Sequence, residues 1–340
     1  MTHRFPVKEV ALQAGVSTAT VDRVMHGRPN VSPQTIKRVR DAISELEGQE
    51  GQLAARGRRL FVDVVVEAPV RFSREIRNAI ETEIQAFRPA VVRPRYTFHE
   101  LMQNTAVQDA LTRIGNRGSQ GVLLKVRDEP EIREAIAMLM DKGIPVVTIF
   151  TDVPNSRRIG YAGIDNRAAG KTAAYLVDRT LAVKPGSVIM TRSNEAFRGE
   201  EDRAEGFREA LAGRLDLTVL DASGGAGLYL STAAQIEAVL AKAGNVRAIY
   251  SVGGGNRAIL DTLQKSGIVP EVFVAHDLDN ENARLLEDRR IDFVLHDDLR
   301  RDIRAALQHI LAHHRLLRLT DMPECSDILV ITPANMQQWR

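Results

Sequence analysis

Gly15-Val16-Ser17-Thr18-Ala19-Thr20-Val21-Asp22-Arg23-Val24-Met25-His26-Gly27 decides how the chain is read. It sits within residues 7–46, which the apolar spacing divides into three short helices. Val7, Val10 and Ala11 recur at the three- and four-residue steps of one helix face. Gly15 supplies the left-handed backbone that ends a helix without a Cβ clash. Ser17 then offers an N-cap hydroxyl, and Val16 with Val21 makes a hydrophobic staple across it. Gly27 closes the second helix in the same way. The pattern restarts at Ser32, with Pro33 in the first helical position and Val31 facing Ile36; Val39, Ile43 and Leu46 continue that face. Three helices punctuated this closely predict a helix-turn-helix, whose second helix is the one that enters a DNA groove.

The dimensions agree with that reading. Residues 18–26 make a rod of ~13 Å at about 1.5 Å per residue, a match for a major groove about 12 Å wide. With Val21 and Val24 turned inward, Thr18, Ala19, Asp22, Arg23 and His26 face outward. Ser17, Thr18, Thr20 and Ser32 lie at helix N-termini, where hydroxyl donors and the helix dipole both suit phosphate. Arg23 is the strongest candidate base reader, because its fork can grip a guanine edge. A small bundle with a merely solvated polar face would not need two capped, stapled helix starts fifteen residues apart.

The run Val7-Lys8-Glu9-Val10-Ala11, then Ala14-Gly15-Val16-Ser17, Thr20-Val21-Asp22-Arg23-Val24, Gly27, Val31-Ser32 and Thr35, resembles the lactose-repressor/galactose-repressor family of bacterial transcription regulators. The resemblance is dense over the first 46 residues and looser, but collinear, beyond them. It implies a homodimer that binds a palindromic double-stranded DNA operator. It also implies a small effector, usually a sugar, held in a core like a type I periplasmic binding protein. By position, Thr18 and Ala19 fall at the family's two specificity positions and Arg23 at its arginine. Asp22 stands where serine is usual. A carboxylate there repels phosphate, so it is expected to accept from a cytosine amine or to orient Arg23.

Bulk properties set the rest of the frame. A chain of 340 residues has room for two or three domains. No run approaches a membrane span and the N-terminus shows no apolar signal region, so a cytoplasmic protein without membrane contact is expected. The single cysteine, Cys325, leaves no basis for a disulfide framework or a multi-cysteine metal site. Net charge is +2, but residues 1–59 hold ten Lys or Arg against six Asp or Glu, a surplus of +4 that leaves −2 for the remainder. The basic part is the head, as nucleic-acid contact requires.

Residues 1–47 are thus assigned to the head and 48–59 to a linker interrupted by three glycines, with a helical turn or two over 52–56. In the resembling family this segment folds on DNA and wedges a leucine into the minor groove. Here Gly57 occupies that place, which leaves Leu53 or Leu60 as substitutes and Arg56, Arg58 and Arg59 for the backbone. A flexible tether is the alternative.

From residue 60 the pattern alternates. Strands are expected over 61–68, 91–98, 121–126, 145–151, 187–191, 217–221, 248–252, 272–276 and 293–295, with helices between them. Near-continuous apolar runs such as Val62-Asp63-Val64-Val65-Val66 suit parallel sheets covered on both faces. The expected fold is therefore multi-domain: an all-α helix-turn-helix head on an α/β core of two doubly wound parallel lobes. The first lobe takes about 60–164 plus 297–325, and the second about 165–296 plus 326–340.

Such lobes bind ligands at the carboxyl ends of their strands. Asp277, after the run Val272-Phe273-Val274-Ala275-His276, and Arg203 match the resembling family's effector-contacting aspartate and arginine. A carboxylate can accept from two hydroxyls at once, and an arginine fork can donate in pairs. Phe72 could stack on a pyranose face. Lys125, Thr151, Asp152, Asn256 and Asp297 follow other strands, and Glu67 ends one too. Several depart from a sugar pattern, so a sugar, a polyol or a sugar acid all remain open. No cofactor, metal or catalytic constellation is expected: Gly253-Gly254-Gly255 fits no phosphate-loop spacing, and His309 with His313 lacks a third ligand. A transporter's solute receptor and a sugar-modifying enzyme on a doubly wound fold are the rival readings.

Overall fold

The computed structural model describes residues 5–55, 59–86, 90–193, 197–317 and 325–338. The head is α1 (Val7–Ala14), α2 (Thr18–Met25) and α3 (Pro33–Ala55). Gly15 ends α1 at φ 61°. The Ser17 hydroxyl accepts from the Thr20 N–H at 3.1 Å, and that of Ser32 from the Thr35 N–H at 3.2 Å. Val10, Val21 and Val39 are fully buried at the centre of this trio, with Val16 and Val24 packed against them.

One helix outruns its expected end, while the helical turn expected over 52–56 is present as far as Ala55. α3 does not stop at Leu46 but continues to Ala55 through most of the expected linker. Each of Gly48 and Gly51 costs about 1 kcal/mol in a helix. Glu47, Gln49, Glu50, Gln52, Leu53, Ala54 and Ala55 are good helix formers, however, and propagating an existing helix is far easier than nucleating one.

Among the described residues the first lobe holds β1 (Arg59–Glu67), β2 (Val91–His99), β3 (Gly121–Lys125), β4 (Val146–Ile149) and β5 (Gly160–Ala162), paired in the order β2-β1-β3-β4-β5. All these pairings are parallel. α4 (Val70–Ala86), α5 (Asn104–Arg117) and α6 (Pro130–Asp141) connect them. β5 was not foreseen, because three residues are too few to show a period. The second lobe holds β6 (Gly186–Thr191), β7 (Leu217–Asp221), β8 (Val246–Ser251), β9 (Val272–His276), β10 (Phe293–His296) and β11 (Leu329–Ile331). Their order is β11-β10-β9-β8-β6-β7, with β11 antiparallel at the edge. α7 (Asn166–Thr180), α8 (Arg198–Leu211), α9 (Tyr229–Leu240), α10 (Asn256–Lys265) and α11 (Asn280–Glu287) belong to it. α12 (Leu299–His313) returns to the first lobe, where Ile303, Ala306, Leu307 and Ile310 join the core of β1, β3 and β4.

α7 and α8 cross at backbone distance. A Cβ on Gly170 would sit 1.9 Å from the Arg203 carbonyl oxygen, and one on Gly206 2.2 Å from that of Arg167. This contact sets the height of α8, and with it the Arg203 side chain. Gly170→Ala is therefore expected to lower the melting temperature by several degrees, since overpacking costs about 1–3 kcal/mol and each kcal/mol is worth roughly 2–4 °C in a domain this large. Gly213→Ala, with nothing within 4 Å of the new methyl, should melt as the unaltered protein does. Equal melting of the two variants in a calorimeter would refute the argument.

Candidate functional site

Two sites are visible, one in the head and one between the lobes. On α2, Thr18, Ala19 and Arg23 are exposed, and the Arg23 guanidinium has no hydrogen bond or ion pair among the described residues. Its fork is free to donate. Asp22 does not orient Arg23: its carboxylate meets His26 Nδ1 at 3.1 Å and Arg28 Nη1 at 3.0 Å. The reason is helical geometry, since neighbours in sequence diverge on a helix while residues four apart meet. Asp22 thus draws Arg28 and the His26 ring to the C-terminal end of the rod. Thr20 is half-committed, its hydroxyl 2.8 Å from that of Ser17, and Ser32 stands in the same relation to Thr35. Leu53 falls within α3, and Arg56 lies outside the described residues.

Between the lobes a cleft holds about 810 Å³ of space, part of it open to solvent. Of the sequence candidates it brings together Phe72, Lys125, Thr151, Arg203, Asp277 and Asp297. Asp277 follows β9 at φ 65°, a left-handed conformation. Asn282 holds that turn from α11, donating to the Asp277 carbonyl at 2.7 Å. The Asp277 carboxylate itself has no hydrogen-bond partner among the described residues. Arg203 is nearly buried and donates from Nε to Asn166 Oδ1 at 2.6 Å. Its Nη2 stands 3.8 Å from Asp297 Oδ2.

Asp297 is 1% exposed and its Oδ1 has no partner. Burial, and behind it the Asp277 and Asp302 carboxylates, push its acid up to about 8 against the pull of Arg203. A carboxyl shifted in that direction keeps its proton to higher pH than an ordinary aspartate, and in that form it donates as well as accepts. Lys125 Nζ gives one hydrogen to the Glu67 carbonyl at 3.1 Å and lies 4.3 Å from the Phe197 ring centre. Burial lowers its ammonium below the usual lysine value, opposed by Glu200, Glu67 and Asp277. Phe72 meets Phe150 edge-on at 5.6 Å, which gives the cleft an aromatic wall.

Two candidates lie elsewhere. Asp152 is spent inside its own loop, accepting from Arg158 Nε at 2.5 Å and Nη2 at 2.6 Å and from Thr148 at 2.6 Å. Asn256, the first residue of α10, is buried and donates to Asn282 at 2.7 Å. It helps hold the Asp277 turn from behind.

Sequence reasoning found Thr151 but missed Arg71, Asp279 and Gly199, which join the lobes with it, and Glu200 at the cleft's edge. Arg71 of α4 pairs with Asp279, the N-cap of α11, at 2.7 Å. The Gly199 N–H, at the start of α8, donates to the Thr151 hydroxyl at 2.9 Å. Glu200 accepts from the Ser193 N–H at 2.6 Å beside the cleft. Asp279 carried a local signal, the N-cap position three residues before Asn282. Arg71 carried none, its partner being 208 residues away. Among the described residues no group of His, Cys, Asp or Glu is arranged to hold a metal ion, and no helix is long and apolar enough to cross a membrane.

Comparisons with known proteins divide the chain along the same lines. Residues 7–47 match the model for bacterial regulatory proteins of the lacI family, and residues 71–313 that for a periplasmic binding protein domain. A probable HTH-type transcriptional regulator, EndR, of Paenibacillus polymyxa is 25% identical over 63% of this chain and 62% of its own. Catabolite control protein A of Staphylococcus epidermidis is 24% identical over 61% of each chain. The chain thus spans somewhat under two thirds of these curated relatives. A Burkholderia graminis solute-binding protein in complex with D-arabinose superposes with a TM-score of 0.73 at 20% identity, over 83% of this chain and 97% of that one. GanP, a glucose-galactose binding protein from Geobacillus stearothermophilus, gives 0.71 at 19% over 82% and 99%. A head that matches the lacI family of bacterial regulatory proteins thus precedes, in one polypeptide, a core that belongs to the periplasmic binding protein domain family.

Proposed function

We propose that the protein is a ligand-responsive, sequence-specific DNA-binding repressor, acting in the cytoplasm as a homodimer on a palindromic operator. The single observation that carries this is the unspent Arg23 fork on an exposed recognition helix, in the same chain as a two-lobed cleft. A transporter's receptor would share the cleft but has no use for the head. An enzyme would need a reacting constellation, and the groups facing the cleft are instead suited to holding hydroxyls. Asp277 accepts from a ligand, Lys125 and Arg203 donate, and Phe72 packs on an apolar face. The ligand is a sugar, polyol or sugar acid.

Arg71–Asp279 and Thr151–Gly199 bind the lobes in this closed arrangement. A ligand that bridges the same lobes favours closure by its difference in affinity between the two states, and a coupling of ~1–3 kcal/mol is enough to change operator occupancy. Selection of genomic fragments on the immobilised full chain tests this, repeated with D-arabinose, D-galactose, D-xylose, myo-inositol and D-galacturonate. Enrichment of one palindromic sequence, altered by a member of that set, is the expected result. Fragments no better retained than random DNA would refute the reading.

A further inference from the structure

On the far side of the Arg71–Asp279 pair, a second groove opens between the lobes. It holds about 1210 Å³ including its mouth, more than the cleft beside it. Five arginines line it: Arg71 and Arg74 from α4, Arg257 from α10, and Arg284 and Arg290 from α11 and the turn after it. Arg71 is committed to Asp279, and Arg290 reaches Asp261 at 3.5 Å. The guanidinium groups of Arg74, Arg257 and Arg284, all on exposed residues, make no hydrogen bond or ion pair among the described residues.

None of the four acids in the lining forms an ion pair with these three arginines. Asp279 is spent on Arg71 and on capping the Asn282 N–H at 2.8 Å. The Glu75 carboxyl is raised above its ordinary range by partial burial and by Asp279 facing it, with Arg74 opposing. Glu281 and Asp288 make no ion pair with any of the three. Unpaired guanidinium groups from three helices and both lobes therefore line one groove, in which five arginines face four acids.

We propose that this groove binds a small metabolite carrying two phosphate-class groups, gripped by Arg74 from one lobe and by Arg257 and Arg284 from the other. Planar forks match phosphate oxygens in pairs, and a two-headed anion can reach arginines on both lobes where a single phosphate meets one cluster. Arg71 and Asp279 form the wall shared with the cleft. An anion bound here ties α4 to α10 and α11 and so reinforces the lobe closure that the Arg71–Asp279 pair already makes. The inference stands on the core alone and is independent of what the head or the cleft binds.

Calorimetric titration of the full chain with inorganic pyrophosphate and, separately, inorganic phosphate tests it, with chloride holding ionic strength constant. One pyrophosphate per chain is expected, bound at least about tenfold more tightly than phosphate. Arg74→Gln/Arg257→Gln/Arg284→Gln should weaken pyrophosphate at least about tenfold, while Arg23→Ala, altered only in the head, keeps it. Should the triple variant fail to fold, Arg284→Gln alone must still show a measurable loss. Equal binding by the unaltered protein and these variants would overturn the proposal, as would loss in Arg23→Ala instead. Loss of self-association in the triple variant, without a pyrophosphate effect, would overturn it too and assign the arginines to a contact between copies.

Discussion

Replacing Arg23 by alanine is expected to abolish operator choice while leaving the core intact. The side chain is exposed and unpartnered, so its removal costs the fold almost nothing. On DNA it is the one long donor on the outward face of α2, flanked by the short Thr18 and Ala19 and by an Asp22 already occupied with His26 and Arg28. A bidentate guanine contact is worth about 1–3 kcal/mol of discrimination, so each head should lose roughly 5- to 150-fold in preference for the selected site. Non-specific affinity should fall much less, because the remaining head cations still meet phosphate. The measurement is fluorescence anisotropy with the selected duplex and a scrambled one, at fixed salt. A discrimination ratio unchanged in Arg23→Ala would remove this residue from base recognition. Thr18 or Ala19 would then have to carry it.

The second large effect is expected at Asp277. The substitution Asp277→Asn keeps the left-handed turn, since asparagine tolerates positive φ as aspartate does, and the backbone bonds to Leu295 and Asn282 do not involve the Asp277 side chain. The negative charge is lost, and with it the ability to accept two hydroxyl hydrogens at charged strength. Hydrogen bonds to charged groups are worth about 1.5–3 kcal/mol each, so Asp277→Asn should lose on the order of 100-fold in affinity for whichever sugar or polyol stabilises the unaltered protein. Melting in the absence of ligand should shift little, because Asp297 is relieved of a neighbouring carboxylate while the buried Lys125 and Arg203 lose one. Thermal-shift titration reads both quantities. Undiminished ligand stabilisation in the variant would show that the carboxylate faces solvent rather than the ligand.

What the sequence made legible follows from the range of the forces involved. The head could be read almost residue by residue, because caps, staples and left-handed glycines act over four or five positions. The doubly wound core was legible for a similar reason. Buried parallel strands are short apolar runs, and each of β1, β3, β6, β8 and β9 carries one. β5 was too short to register, and α3 outran its forecast because two glycines looked like punctuation when their neighbours favoured helix.

The cleft was half legible. Strand-end positions pointed to Asp277, Lys125 and Asp297, since topology alone brings the carboxyl ends of strands together. Asp152 looked equivalent by that rule, yet Arg158, six residues on, turns it back into its loop. The Arg71–Asp279 and Thr151–Gly199 contacts depend on how two lobes meet, and no periodicity within either lobe encodes that.

The uninterrupted run of α3 limits where the head can go. Ala55 is the last residue of that helix and Arg59 the first of the opening strand of the core. Four peptide steps reach at most ~14 Å, which is a short leash for a unit expected to sit in a groove of similar width. Within that radius the head is confined to a small volume at millimolar effective concentration or above. A shift of the first lobe by a few ångströms is then a sizeable fraction of that reach, and modest motion in the core can decide whether the head still meets its site.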